Sequence, residues 1–264
     1  MNALVGSKVA ITSPKAQTTR RPVHGIISHK EGQAVLVDTP GFMQKAHDPL
    51  TQKLTHWIKD SLREIDAVLY VVDPTRSIGD EERAAMRLVA HIEKPKLLVI
   101  NKIDDPKSRI YIDFYRDLAK EFDAYVEVSA KTGKDTDLVT RWIFDHLNEG
   151  EFMYPEFQLT NLSNEEWVGE LIREKLFLRL REELPYSTHV EVKEMYTADN
   201  GMVIVKAIVY TNAERYKRMI IGAGARGIKE IGQSTRNELE AVSGKKYYLE
   251  LKVEVDPSWV GRLE

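Results

Sequence analysis

The sequence has no cysteine, no long apolar run and no strong excess of either charge. Without cysteine the chain can form neither a disulfide nor a thiolate metal site, so a reducing cytoplasm is the expected setting. No apolar run approaches the ~18 residues that a membrane-spanning helix needs. Because the formal net charge is only −3, any binding of nucleic acid must depend on a local basic patch.

The first part of the chain alternates short apolar runs with amphipathic segments. Such alternation predicts an α/β domain with a mostly parallel sheet that helices cover on both faces. The apolar runs predict strands at 23–28, 34–37, 67–72, 96–100 and 124–128, the first two forming a hairpin. Helical spacing predicts helices at 50–65, 80–92 (with Asp80 as N-cap), 110–122 and 135–147.

Three polar motifs each directly follow an apolar strand. They are Asp38-Thr39-Pro40-Gly41, followed by Phe42, then Asn101-Lys102-Ile103-Asp104, and then Ser129-Ala130-Lys131. In open α/β sheets, ligands bind at the carboxyl ends of the strands. The order and placement of these motifs therefore predict one nucleotide site at one edge of the sheet.

The second and third motifs match the hydrogen-bonding edge of guanine. The carboxylate of Asp104 can accept from the ring N1–H and from the exocyclic amine, whereas adenine presents an acceptor at N1 and would leave that carboxylate unpaired. Asn101 and the aliphatic stem of Lys102 would hold the base and the neighbouring loops. The Ala130 N–H can donate to the guanine carbonyl, and Lys131 can cover the other ring face. Taken alone, Asn101–Asp104 could also be a turn that caps a strand.

The first motif has the form of a phosphate sensor. Asp38 can reach a magnesium ion, usually through water, and Gly41 can offer its backbone N–H to a terminal phosphate and swing when that phosphate leaves. Taken alone, this motif is weak, because an ordinary Pro-Gly turn at the end of a strand is common.

The second part of the chain predicts a small α+β domain. A helix is expected at 165–183, capped by Asn164 or Ser163, and strands are expected at 189–195 and 202–210 around an Asp-Asn-Gly turn. A glycine-rich turn then opens a helix that reaches about Val242, and a final strand is expected at 247–255.

These motifs resemble those of translation-factor-type GTPases. The run from Asn2 to Gly6 and on through Ile11 to Arg20 resembles the Era GTPase family, and the resemblance covers essentially the whole chain. It implies a P-loop-GTPase-like (Ras-like) α/β domain and a C-terminal α+β KH domain of type II. The domain limits expected are 1–148 for the GTPase domain, 149–163 for a linker and 164–264 for the KH domain.

The resemblance implies GTP or GDP and magnesium as cofactors. Thr18 and Thr19 would lie in the first switch, and Thr19 and Asp38 would be the magnesium ligands. The nucleotide would be bound by residues of the three motifs, namely Asp38, Thr39, Pro40, Gly41, Phe42, Asn101, Lys102, Ile103, Asp104, Ser129, Ala130 and Lys131. Because Phe42 stands where some GTPases carry a water-orienting glutamine, either slow intrinsic hydrolysis or a different way of placing the attacking water is expected.

KH domains bind single-stranded RNA through a Gly-x-x-Gly turn that lets the backbone approach phosphates. The turn is expected at Gly222–Ala225, with alanine at the closing position; the literal match Gly224–Gly227 is shifted by two residues. Five basic residues and no acidic one lie between Arg215 and Lys229. RNA contacts are expected from Lys217, Arg218, Ile221, Gly222, Ala223, Gly224, Ala225, Arg226, Ile228 and Lys229.

The resemblance also implies partners and a location. They are the 3′ end of small-subunit ribosomal RNA, the small ribosomal subunit, and the cytoplasm with some peripheral association with the inner face of the cell membrane. We expect a monomer.

The family's Gly-x-x-x-x-Gly-Lys-Ser phosphate loop does not occur in the sequence. We therefore expect a GTPase domain without its first strand and phosphate loop, with impaired nucleotide binding and hydrolysis, because that loop supplies backbone N–H donors, a lysine and a magnesium-binding hydroxyl. Two explanations stay open. The start was assigned at an internal methionine, or this is a paralogue that binds RNA independently of nucleotide through a degenerate GTPase domain.

Overall fold

The computed structural model describes residues 1–15, 18–20, 22–39 and 65–262. They form two compact units, one of residues 1–9 and 19–161 and the other of residues 10–18 and 162–264. None of the helices within the described ranges is long and apolar enough to cross a membrane.

The first unit begins with a short helix and a hairpin. Helix α1 (Asn2–Val5) ends at Gly6 in a left-handed conformation, the geometry in which glycine ends a helix without steric cost. Strands β1 (Val23–His29) and β2 (Gly32–Asp38) pair antiparallel, so the predicted hairpin is confirmed.

Among the described residues, the first unit also contains a three-stranded parallel sheet. Its strands β3 (Val68–Val72), β4 (Lys96–Ile100) and β5 (Ala124–Glu127) lie in that order, and its helices are α2 (Asp80–Ala90), α3 (Ile112–Leu118) and α4 (Thr136–His146). Central strand β4 is apolar on both faces. Leu97 and Val99 pack in one core cluster with α4 and the hairpin, while Leu98 and Ile100 pack in a second with α3. Coverage of both faces is therefore confirmed.

Several predicted boundaries in this unit were wrong. Asp80 is the first residue of α2 and Gly79 is its N-cap. The single helix expected at 110–122 is interrupted, because Tyr111 (φ −123°, ψ 5°) leaves the helical region between a 3-10 turn at Pro106–Ile110 and α3. The helix expected at 50–65 lies outside the described residues except for Ile65, as do Pro40, Gly41 and Phe42.

The second unit has the order α-β-β-α-α-β. Helix α5 (Asn164–Arg179) is followed by β6 (Thr188–Thr197), β7 (Val203–Thr211), α6 (Glu214–Ile221), α7 (Arg226–Ser243) and β8 (Tyr247–Val255). Strand β7 pairs antiparallel with β6 and parallel with β8. Ser163 caps α5 in a capping box with Glu166, which selects one of the two predicted caps.

Helix α5 ends four residues before the predicted Glu183, and a segment from the start of the chain packs on it. The ammonium group of Lys15 donates to the carbonyls of Phe177 and, at 2.7 Å, Leu180. The Thr12 N–H donates to Oε2 of buried Glu174 at 2.7 Å. A lysine that takes the last carbonyls of a helix both satisfies them and complements the helix dipole.

The turn between α6 and α7 occupies Gly222–Ala225, the predicted register. Gly222, Gly224 and Ala225 all have positive φ, and for Ala225 (φ 59°) this conformation is strained. Gly227 lies inside α7, where a Cβ would sit 2.4 Å from the Ile220 carbonyl oxygen. Gly227 therefore serves the close approach of two helices and does not close the turn.

We expect Gly227→Ala to lower the free energy of unfolding by about 2–3 kcal/mol, because its Cβ meets backbone that cannot move aside cheaply. Gly232→Ala is the matched control in the same helix. Its Cβ meets only Leu251 Cδ1 at 3.6 Å, an ordinary contact, so this change should be neutral or stabilise by up to ~1 kcal/mol. Urea unfolding of both variants measures the difference, and equal effects would contradict the packing role of Gly227.

Candidate functional site

The parallel sheet brings three polar segments to one edge. Asp73 follows β3 and Asn101 follows β4, while Ser129 lies two residues beyond β5. Backbone bonds join the segments, since Asn101 N donates to Val72 O at 3.0 Å and Ile103 N donates to Val128 O at 3.3 Å. The two predicted base-binding motifs are therefore neighbours.

The side chain of Asn101 ties these two motifs together. Its Oδ1 accepts from the Lys102 N–H at 2.8 Å and from the Ala130 N–H at 3.0 Å. Lys102 has a left-handed backbone (φ 64°), which turns the chain sharply after β4. One amide oxygen thus fixes loops that are 29 residues apart in sequence.

Asp104 is oriented by the third motif. Its Oδ1 accepts from the hydroxyl of fully buried Ser129 at 2.7 Å, and the Lys131 ammonium lies 3.8 Å from its Oδ2. The Ser129 hydrogen bond, helped by Lys131 and Lys102, holds the pKa of Asp104 below its usual value. Asp104 is therefore an ionised acceptor, the state that recognition of two N–H donors requires.

Asp73 is a member of this cluster that the motifs do not include. Its Oδ2 lies 2.6 Å from the Lys102 ammonium and 3.3 Å from Nε of Arg76, and its Oδ1 accepts from the Thr75 N–H and hydroxyl. Burial acts to raise the pKa of Asp73, but the hydrogen bonds from Lys102 and Thr75 outweigh it and the pKa is lowered. The sequence contains one signal that could have pointed to Asp73: it directly follows an apolar strand, as the three motifs do.

The predicted magnesium ligands are adjacent. The Thr19 hydroxyl donates to Asp38 Oδ2 at 3.1 Å. Burial raises the pKa of Asp38, and the Thr19 hydrogen bond opposes this shift. A hydroxyl and a carboxylate are the oxygen ligands that magnesium prefers, usually beside water and phosphate oxygens. Thr18 belongs to the segment that packs in the second unit.

The candidate RNA site in the second unit surrounds the α6–α7 turn. Arg218, Arg226 and Lys229 are exposed there, while Ile221 and Ile228 are half-buried against the core. Polar side chains continue along the outer face of α7 beyond the predicted set, where Gln233 Nε2 donates to Asn237 Oδ1 at 2.6 Å.

Comparisons with known proteins agree with a chain of two units. Residues 1–102 match a family model described as 50S ribosome-binding GTPase, and residues 183–260 match the KH domain. A GTPase-type α/β domain joined to a KH domain defines the class of protein. The chain is 35% identical to the GTPase Era of Halothermothrix orenii over 260 residues, which cover 98% of this chain and 88% of that protein. It is 36% identical to the GTPase Era of Nostoc sp., covering 98% and 80%.

Solved structures of Era also match this chain. A crystal structure of Era in complex with MgGDPNP and nucleotides 1506–1542 of 16S ribosomal RNA matches with a TM-score of 0.89 and 34% identity, covering 99% of this chain and 90% of that one. A variant of Aquifex aeolicus Era bound to GDP and AlF4− matches with the same values. The chain belongs to the Era GTPase family.

We expect Asp73→Asn to lower the free energy of unfolding at pH 7 by about 1 kcal/mol, a modest value because the ion pair is partly exposed. A depressed pKa stabilises the fold above the unfolded-state value near 4, and this contribution is lost as the pH falls through the folded-state pKa. The difference from the unsubstituted chain should therefore shrink as the pH falls below about 4.

Urea unfolding at pH 7, 5, 4 and 3 measures this dependence. Asp113→Asn is the control, because Asp113 pairs with Arg116 on the surface and should contribute less than ~0.5 kcal/mol. A cost for Asp73→Asn that does not change with pH would show that its charge is not responsible.

Proposed function

We propose that this chain is a guanine-nucleotide-binding ribosome assembly factor that binds small-subunit ribosomal RNA through its KH domain. One observation carries the proposal: Asn101, Asp104 and Ala130 lie together at one edge of the sheet. Asn101 Oδ1 accepts from the Ala130 N–H, and the Ser129 hydroxyl donates to Asp104. The solved structure of Era in complex with both MgGDPNP and nucleotides 1506–1542 of 16S ribosomal RNA supports it.

The guanine base is read by the second and third motifs. Asp104 accepts from N1–H and the exocyclic amine, Ala130 donates to the carbonyl, and the stems of Lys102 and Lys131 flank the ring. Ile103 and Ser129 hold these groups in place. The domain limits proposed along the sequence are 1–148 for the GTPase domain, 149–163 for the linker and 164–264 for the KH domain, with residues 10–18 packing in the second unit.

The phosphates are met by the first motif and the first switch. Thr19 and Asp38 would hold magnesium, which would neutralise phosphate charge. Residues 39–42 and Thr18 respond to the terminal phosphate. Because the 264 residues contain no Gly-x-x-x-x-Gly-Lys-Ser motif, we expect weak nucleotide binding and impaired GTP hydrolysis.

Single-stranded RNA from the 3′ end of the small-subunit ribosomal RNA binds at the α6–α7 turn. The backbone of Gly222–Ala225 approaches phosphates, the basic side chains around it neutralise them, and Ile221 and Ile228 contact bases. The contacts proposed are those of Lys217, Arg218, Ile221, Gly222, Ala223, Gly224, Ala225, Arg226, Ile228 and Lys229. The protein acts as a monomer in the cytoplasm, with some peripheral association with the inner face of the cell membrane.

Titration with GDP and ADP tests base recognition. We expect GDP to bind with a Kd of roughly 10 µM to 1 mM and at least about tenfold more tightly than ADP. Asp104→Asn should reverse the preference from GDP to XDP, because an amide can accept from N1–H and donate to the second carbonyl of xanthine.

Asp105→Asn is the matched control for that reversal. Asp105 neighbours Asp104 but its side chain caps the Lys107 N–H, a bond that asparagine also makes, so GDP affinity should change less than about twofold. Equal binding of GDP and ADP by the unsubstituted chain would contradict the proposed base site.

The absence of the Gly-x-x-x-x-Gly-Lys-Ser motif favours a second candidate, an RNA-binding protein that works independently of nucleotide through a degenerate GTPase domain. Saturable GDP binding in the micromolar range would exclude it. RNA binding with no nucleotide effect, together with no GDP binding, would establish it.

We expect Ala225→Gly to tighten binding of a short single-stranded mimic of the 3′ end of small-subunit ribosomal RNA, by about three- to tenfold. The change removes a Cβ beside the expected phosphate path and relieves the left-handed strain at φ 59°, worth about 1 kcal/mol in stability. Ala223→Gly is the control, because Ala223 has no positive φ.

Filter binding at low salt, with thermal unfolding of the same samples, measures both effects. If the mimic fails to bind at low salt, the assignment of an RNA site is wrong. If the control tightens binding as much as Ala225→Gly, backbone flexibility and not the strain at Ala225 is the cause.

A further inference from the structure

We propose that Asp73 is a positioning residue of the guanine site, acting through Lys102. The inference rests on the proposed function, since it concerns the same base site. Asp73 lies outside the three motifs that predict nucleotide binding, yet its carboxylate is 2.6 Å from the lysine ammonium of the second motif.

Lys102 needs an anchor because its backbone is strained. A left-handed conformation is unfavourable for a residue with a Cβ, and Lys102 adopts it at φ 64°. Three hydrogen bonds of Lys102 offset this strain: its N–H donates to Asn101, its carbonyl accepts from the Asp105 N–H and its ammonium donates to Asp73. Of these, only the bond to Asp73 reaches a strand other than β4.

Hydrogen bonds orient the carboxylate of Asp73 towards Lys102. Its Oδ1 accepts from both the backbone N–H (3.0 Å) and the hydroxyl (2.6 Å) of Thr75, which leaves Oδ2 directed at Lys102. The parallel register of β3 and β4, with Val72 opposite Ile100, places Asp73 beside the segment that follows β4 and contains Lys102. A carboxylate held at both oxygens gives the flexible lysine stem one preferred path.

The effect extends to the base through Asn101. Displacement of Lys102 would move the N–H that Asn101 Oδ1 accepts, and the same oxygen holds the Ala130 N–H proposed to meet the guanine carbonyl. Asp73 thereby influences base recognition without contacting the base. A surface ion pair that serves stability alone would leave nucleotide affinity unchanged.

A double-mutant cycle on the full 264-residue chain separates these two roles. We expect Asp73→Asn and Lys102→Met each to weaken GDP binding about five- to tenfold, and the double variant to bind no more weakly than Lys102→Met alone. Arg76→Ala is the control, because it removes the other cation near Asp73 and should change the Kd less than about twofold. Additive losses, or an equal loss in the control, would overturn the proposal.

Amide hydrogen exchange gives a readout that does not depend on nucleotide. Asp73→Asn should lower protection of the Lys102 and Ala130 amides, while Arg76→Ala should not. Unchanged protection would overturn the positioning role. Lost protection in a chain that binds no GDP would instead support that role and show that the proposed nucleotide function has failed.

Discussion

The amide oxygen of Asn101 holds the candidate base site together by accepting two backbone N–H groups at once. One donor is Lys102, the next residue, and the other is Ala130, in a loop beyond a different strand. Such sharing requires β4 and β5 to lie side by side in parallel, which their apolar residues ensure by packing on both faces of the sheet. A carboxylate at position 101 could accept the same two bonds, but it would add a charge near Asp104.

Features with local causes could be predicted from the sequence. The strands at 96–100 and 247–255 have the predicted bounds, because their apolar or alternating patterns end at turn residues. The α6–α7 turn was placed correctly since Gly222 and Gly224 mark it on both sides of Ala223. The three motifs stood out because each combines a strand end with side chains suited to one ligand.

Features that depend on distant partners could not be predicted. Asp73 contributes through Lys102, which is 29 residues away, and the sequence contains no spacing rule for that contact. The early end of α5 has a similar cause, since its helical pattern continues past Arg179 while the carbonyls of its last turn are taken by Lys15. The spacing of apolar residues also does not reveal that the backbone of Tyr111 leaves the helical region.

The packing of Lys15 and Thr12 on α5 bears on how this protein can be divided. Residues 10–18 belong with the second unit although they lie far before it in sequence. A fragment cut at Asn164 would leave Glu174 without the Thr12 bond and the last carbonyls of α5 open to water. Excision of residues 164–264 as one continuous stretch would therefore change the helix on which the sheet of the second unit packs, and a piece that preserves this helix must also contain residues 10–18.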